Sequence, residues 1–220
     1  MSTDVREAAA HDNARWCAAV CASHGLTGRI DADAWSVPRR SPQWYPDAVT
    51  LRSGVDPAAL LARIDAGAGA SVKDSFADLD LSAYGFRVLF EAQWIHRPPA
   101  DPPTDPPLTP VTTPEGLAAW ASAHGGGELF HPQLLADPRI RVLARHDERG
   151  AVVGGAVVSG DDPAGVSNLF THGGDPGEIW RGVVATRPGV SLVGYETTPD
   201  LPPARRAGFL PAGPLQVWLR

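Results

Sequence analysis

Apolar positions recur at helical spacing over residues 5–24, where Val5, Ala9, Trp16, Val20 and the two cysteines form one stripe. That period predicts an amphipathic helix, and Gly25 supplies its stop. The period disappears over residues 26–46, which hold Trp35, Pro38, Pro42, Trp44, Tyr45 and Pro46. This stretch reads as an irregular aromatic arm on the surface of the core. AVTLR (48–52) then reads as a strand, followed by a turn at Ser53-Gly54-Val55. Asp56 is placed to cap a helix and Pro57 to start it, with Leu60, Leu61 and Ile64 as the buried face and Gly67 and Gly69 as the end. SVKDSF (71–76) is the next strand, a short helix follows over 79–84, and GFRVLFEAQWI (85–95) is a strand again.

The second half has its own pattern. A helix over 114–124 presents Leu117 and Trp120 before glycines 125–127, and residues 131–136 suggest another short helix. IRVLARHD (140–147) and AVVGGAVVSG (151–160) read as a hairpin across Glu148-Arg149-Gly150. GVSNLFT (165–171) is a strand, Gly173-Gly174 a turn, and Asp175-Pro176 the start of a helix bearing Ile179, Trp180, Val183 and Val184. Pro188-Gly189 ends that helix. VSLVGYE (190–196), a short helix over 202–207 and LQVWLR (215–220) complete the chain.

Two segments match at one constant offset: GFRVLFEAQWIHR (85–97) and GFLPAGPLQVWLR (208–220). Gly85, Phe86, Gln93 and Arg97 answer Gly208, Phe209, Gln216 and Arg220. Upstream, Asp78-Leu79 answers Asp200-Leu201, Gly69 answers Gly189, and Asp56-Pro57 answers Asp175-Pro176. Self-similarity on this scale points to one supersecondary unit used twice. Between the copies lies PPADPPTDPPLTP (98–110), too rich in proline to pair in a sheet or continue a helix. The expected organisation is a shortened first copy with its helix and arm over 1–97, a linker over 98–110, and a full second copy over 111–220.

Composition narrows the function classes. The 220 residues are 43% hydrophobic and 20% charged, enough for a core and too apolar for disorder. A net charge of −6 without a basic block argues against nucleic acid or anionic membrane as partners. No run reaches 18 apolar residues and the N-terminus has no apolar signal core, so neither secretion nor membrane spanning is expected. Cys17 and Cys21 lie four apart in the first helix. Two thiols on one helical turn fit small core residues better than a disulfide, and a reducing cytoplasm is expected. The abundance of Ala, Gly, Pro, Arg and Asp suggests a high-GC bacterial genome. Seven histidines are scattered without metal-ligand spacing, so no metal is assigned. A small molecule is the expected partner, with a homodimer open.

The hairpin RVLARHDERGAVVGGAVVSG, the GVSNLFT strand, the helix after it and the closing Gly-Phe before a final strand resemble the GNAT family of acyl-CoA-dependent N-acyltransferases. The resemblance covers 111–220, and 47–97 resembles the back half of such a domain. It implies an α/β fold of tandem GNAT-like mixed sheets flanked by helices, with the first copy truncated. It also implies acyl transfer from a CoA or carrier thioester to a small-molecule amine, with acetyl-CoA or another acyl-CoA as cofactor. Family members hold the CoA pyrophosphate on a basic, glycine-spaced loop at a helix N-terminus, where free amides and the helix dipole attract anions. Here that place reads THGGDPGEIW in the second half and RSGVDPAALL in the first. Asp175 and Asp56 are expected to occupy the free amides themselves, Pro176 removes one donor, and a carboxylate there repels pyrophosphate by about 1–4 kcal/mol.

Polar residues on strands that should be buried are the candidates for chemistry. In the second half these are Asn168, Thr171, His172, Tyr195 and Glu196. Glu196 or His172 has the chemistry of a general base for an amine. The resemblance implies that Tyr195 protonates a leaving thiolate, although the family's tyrosine usually sits on the following helix. Asn168, Thr171, Gly173 and Gly174 are the residues expected at the cofactor, the two glycines offering a compact nest of amides. The plainer alternative has His172 capping a loop, Tyr195 in the core and Glu196 at a strand end in solvent. Lys73 and Asp74 are the candidates for substrate binding in the first half, the alternative being an ion pair with Arg87 or Glu91 on the next strand. Trp35 and Trp44 could form an aromatic ligand wall, whereas Trp16, Trp94, Trp120, Trp180 and Trp218 are expected as core anchors. Two further readings stay open: a catalytically silent binding or sensing module, and an acyl decarboxylase or hydrolase using Glu196 and His172.

Overall fold

The computed structural model describes residues 5–101 and 104–220. In chain order its elements are α1 (Val5–Ser23), β1 (Arg29–Ile30), β2 (Ala34–Ser36), β3 (Ala48–Thr50), α2 (Pro57–Leu61), β4 (Ser71–Asp74) and β5 (Arg87–Arg97). There follow β6 (Thr109–Val111), α3 (Pro114–His124), β7 (Ile140–His146), β8 (Val152–Ser159), β9 (Ala164–Thr171), α4 (Pro176–Thr186), β10 (Leu192–Glu196), α5 (Leu201–Arg206) and β11 (Leu210–Leu219). This is a mixed α/β fold. It divides into two compact units: Met1–Trp94 with Ala212–Arg220, and Ile95–Pro211.

In the first unit the strand order is β1-β2-β3-β4-β11. β3 and β4 are parallel, joined through α2, while β4 and β11 are antiparallel over residues 71–74 and 216–219. Asp56 caps α2 through Ala59 N–H and Pro57 opens it, as the Asp-Pro pair predicts. The stretch expected to be a surface arm is different. Residues 29–30 and 34–36 are β1 and β2, and Trp35 is only 1% exposed, because β2 pairs with β3 along its whole length. Trp44 is 64% exposed with φ +74°. The two tryptophans therefore form no common wall. Trp16, Trp94, Trp120, Trp180 and Trp218 are all buried, as core anchors should be. Cys17 and Cys21 are free and buried, and burial pushes their thiols up to about 11 and about 12.

The second unit runs β10-β9-β8-β7-β6. β6, β7, β8 and β9 are antiparallel in succession, and β9 with β10 is parallel through α4. β6 emerges from the end of the proline-rich stretch. Pro110 is tolerated because β6 is an edge strand. Adjacent glycines in β8 let helices approach the sheet closely from opposite faces. A Cβ on Gly155 would sit 2.3 Å from Trp120 Nε1 of α3, and one on Gly154 would sit 2.7 Å from Ile179 Cδ1 of α4. On the α4 face, Ile179, Trp180, Val183 and Val184 join Leu192, Phe209, Ala204 and Ile95 in one core.

The matched segments 85–97 and 208–220 have a reciprocal arrangement. Gly85 and Gly208 both take a left-handed backbone, φ +81° and +91°. The Arg97 side chain lies 3.3 Å from where a Gly208 Cβ would be, and its Nε donates to Ala207 O at 3.1 Å. The Arg220 side chain lies 3.5 Å from where a Gly85 Cβ would be, and its guanidinium sits over the Phe86 ring. The end of each matched segment thus packs on the beginning of the other. In the first unit, Gln216 of β11 donates to Asp74 Oδ2 at 3.0 Å and to Leu79 O at 3.2 Å.

Candidate functional site

β9 and β10 pair only at their starts. Leu192 lies opposite Ala164 and Val193 opposite Gly165, but β9 continues to Thr171 and β10 to Glu196. Beyond the paired residues the two strands part. The cause lies in β9. Its register with β8 jumps from Ser167 opposite Val157 to Phe170 opposite Gly155, so Asn168 and Leu169 face the single residue Ala156. This is a β-bulge, which bends a strand and increases its twist. Asn168 carries it at φ +52°, a left-handed conformation that asparagine tolerates better than most residues. The signal in the sequence was an asparagine in the middle of a strand.

Glu196 and Tyr195 close the β10 side of the gap, both half-buried. Successive strand residues point to opposite faces. A Cβ on Gly194 would lie 3.8 Å from the Trp180 side chain, so Glu196 shares the α4 face with it and Tyr195 takes the other. Burial, and then the nearby Asp200 carboxylate, push the Glu196 carboxyl up to about 8. No hydrogen bond to its carboxylate offsets this among the described residues. Glu196 is therefore not a solvated strand end.

The remaining candidates are tied to the frame. His172 is exposed and its Nε2 donates to Ala123 O, one of the last carbonyls of α3. That bond places the ring proton on Nε2 and makes His172 a helix C-terminal cap. Thr171 Oγ1 donates to Gly173 O at 2.8 Å, ordering the turn in which Gly173 and Gly174 take φ +74° and +81°. Phe170 and His172 also continue an aromatic cluster with His124, Trp120 and Phe130.

The start of α4 offers no free amides. Pro176 has no N–H, Gly177 N donates to Asp175 Oδ1 at 2.9 Å, and Glu178 N donates to Asp175 O at 2.9 Å. Asp175 Oδ1 also accepts from Arg206 at 2.7 Å, and Oδ2 lies 3.9 Å from Arg181. The Gly177 amide and the Arg206 guanidinium hold this carboxyl below its usual range. At the first turn of α4 the Asp175 carboxylate already accepts the Gly177 amide and would repel a CoA pyrophosphate.

Lys73 and Asp74 belong to the first unit and are buried. The strand beside β4 is β11, not β5, so the expected pairing with Arg87 or Glu91 gives way to other partners. Lys73 Nζ donates to Asn13 Oδ1 of α1 at 2.8 Å. Asp74 accepts from Phe76 N, Leu79 N and Gln216 Nε2. Thr50 Oγ1 accepts from Ser75 N at 2.8 Å where β3 and β4 end, so a side chain of the protein itself bridges the ends of these two parallel strands. Among the described residues no group of acidic, histidine and cysteine side chains could hold a metal, and no helix is long and apolar enough to cross a membrane.

No family model matches this chain, and no curated protein does. Solved structures do resemble it. A GCN5-related N-acetyltransferase from Kribbella flavida matches with TM-score 0.60 and 16% identity over 96% of this chain and 95% of its own. A GNAT-family protein from Novosphingobium aromaticivorans matches with TM-score 0.58 and 13% identity over 96% and 98%. A functionally unknown conserved protein from Staphylococcus epidermidis matches with TM-score 0.52 and 11% identity over 87% and 92%. At these identities the likeness speaks for the fold: this chain has the GNAT fold.

Proposed function

We propose that the protein transfers an acyl group from a thioester to the nitrogen of a small-molecule amine at the β9–β10 gap, with the two halves of the chain being copies of one unit of which the second carries the site. The observation that supports this reading best is the gap itself, opened by the Asn168 bulge and edged by Glu196 and Tyr195. An extended thioester arm lies between the strand edges with its carbonyl at the gap. The amine nitrogen attacks that carbon, the carbon–sulfur bond breaks, and the thiolate leaves. Glu196 in its ionised form takes the proton from the nitrogen, and the Tyr195 hydroxyl gives one to the sulfur.

The test is release of free thiol from acetyl thioesters in the presence of aliphatic diamines, amino acids and amino sugars, with the amide identified by mass. Acylation that falls at least tenfold in Glu196→Gln supports the reading. A full panel without amine-dependent thiol release would sink it. A second reading, a catalytically silent binding module, draws support from the closed start of α4 and from the structural bonds of Thr171 and His172.

A further inference from the structure

We propose a second reactive centre in the unit Ile95–Pro211: Ser191, hydrogen-bonded to His96, is the nucleophile of a serine–histidine pair that hydrolyses small carboxylic esters. The pair lies at the N-terminal entry of β10, about 16 Å along that strand from Glu196. It is therefore separate from the β9–β10 gap, and it stands or falls independently of acyl transfer there.

Three observations carry it. The first is contact between nucleophile and base. His96 Nε2 and Ser191 Oγ are 2.8 Å apart, the reach at which a base takes the proton of an attacking hydroxyl. Burial lowers the His96 pKa, so the ring is neutral at neutral pH. With Nε2 as the bare nitrogen, Ser191 Oγ donates and the imidazole accepts. The second is the rigid setting of the serine. Its amide donates to Asp162 Oδ1 at 3.2 Å and its carbonyl accepts from Ala164 N at 2.9 Å. Ser191 and His96 are both half-buried rather than sealed in the core, and Pro188 and Gly189 just before them in β10's approach are exposed. The third is a spare donor. Arg187 Nη2 donates to Asp161 O at 2.6 Å, which holds the guanidinium to the same loop that fixes the Ser191 amide. Its Nε is buried with no hydrogen-bond partner among the described residues. A cationic donor of this kind favours the negative charge that builds on the acyl oxygen.

The chemistry closes with water alone as co-reactant. The Ser191 Oγ–carbon bond forms as the hydroxyl proton passes to His96 Nε2. The ester carbon–oxygen bond then breaks, and the departing alkoxide takes that proton. Water attacks the acyl-serine through the same imidazole, which releases the carboxylic acid and restores the hydroxyl.

The experiment uses two probes on the full chain, p-nitrophenyl acetate for turnover and a fluorophosphonate for covalent labelling, with the adduct located by peptide mass. The expected result is a single adduct on Ser191 and ester hydrolysis that falls about tenfold or more in Ser191→Ala. His96→Gln keeps an acceptor for the serine hydroxyl but cannot take up its proton. It should slow labelling by about tenfold or more while its melting temperature stays at the wild-type value. Should His96→Gln fail to fold, Ser191→Thr, which keeps a hydroxyl at the same place, supplies the comparison and should retain labelling above that of Ser191→Ala. An unlabelled Ser191, or hydrolysis equal in the wild type and Ser191→Ala, overturns the proposal and leaves the 2.8 Å contact as a structural hydrogen bond.

Discussion

Glu196 has the most displaced carboxyl in the second unit, raised to about 8 by burial and by Asp200. A carboxyl whose folded value is raised keeps its proton in the native state after the unfolded chain has lost it. Its contribution to stability is full below the ordinary glutamate range and is lost as pH rises through about 8. The wild-type melting temperature should therefore drop between pH 5 and pH 9 by more than that of Glu196→Gln. At pH 9 the variant should be the more stable by about 1–3 kcal/mol, read from melts at both pH values. If the two melting profiles stay parallel, Glu196 is not buried as described. On the acyl-transfer proposal, the same group should give the rate a rising limb with a midpoint near pH 8. Glu196 and Tyr195 were visible in the sequence as polar residues at the end of an apolar strand, on opposite faces by strand alternation, but not which of them faces α4, nor the shift. Those depend on what packs against β10.

At the scale of the element, the bulge in β9 decides whether the site exists. Asn168 at φ +52° is the residue that permits it, because a β-branched side chain in that conformation is strained. Asn168→Val should cost about 1–2 kcal/mol in urea unfolding and should close or displace the gap, lowering thioester binding. Asn168→Gly should leave stability near that of the wild type. Equal stability for the valine and glycine variants would count against a left-handed backbone there. The helix starts at Asp56-Pro57 and Asp175-Pro176 were legible because capping is local chemistry between neighbouring residues. The strands β1 and β2 were missed because they are two and three residues long and hold together through pairing, β1 with β2 and β2 with β3, rather than through any pattern of their own.

For the whole molecule, the C-terminal segment matters beyond its own half. Residues 212–220 belong with the first unit, where Gln216 bonds Asp74 and Trp218 joins the core of Leu60, Val72 and Phe86. A chain ending at Pro211 loses that strand and the buried Leu215, Val217 and Trp218. Burial of each large side chain contributes about 1.5–3 kcal/mol, so the loss should unfold or severely destabilise the first unit. The readout is hydrogen exchange: protection should fall in β3 and β4 of the truncated chain while α4 and β8 keep theirs. Retained protection in β3 and β4 would show that the segment is dispensable.

Local information was enough for the α/β class, the hairpin of β7 and β8, the α4 helix with its cap, and five of the buried tryptophans, since each follows from periodicity or near-neighbour chemistry. The match between 85–97 and 208–220 was also legible, as shared glycine, phenylalanine, glutamine and arginine positions. Only the tertiary structure decided that Arg97 packs on Gly208 and Arg220 on Gly85, because pairing between segments more than a hundred residues apart is set by which faces can be buried together. It likewise decided that Lys73 and Asp74 meet Asn13 and Gln216, and that β9 and β10 part after two paired residues. Sheet order and register are properties of packing, and no single strand carries them in its own sequence.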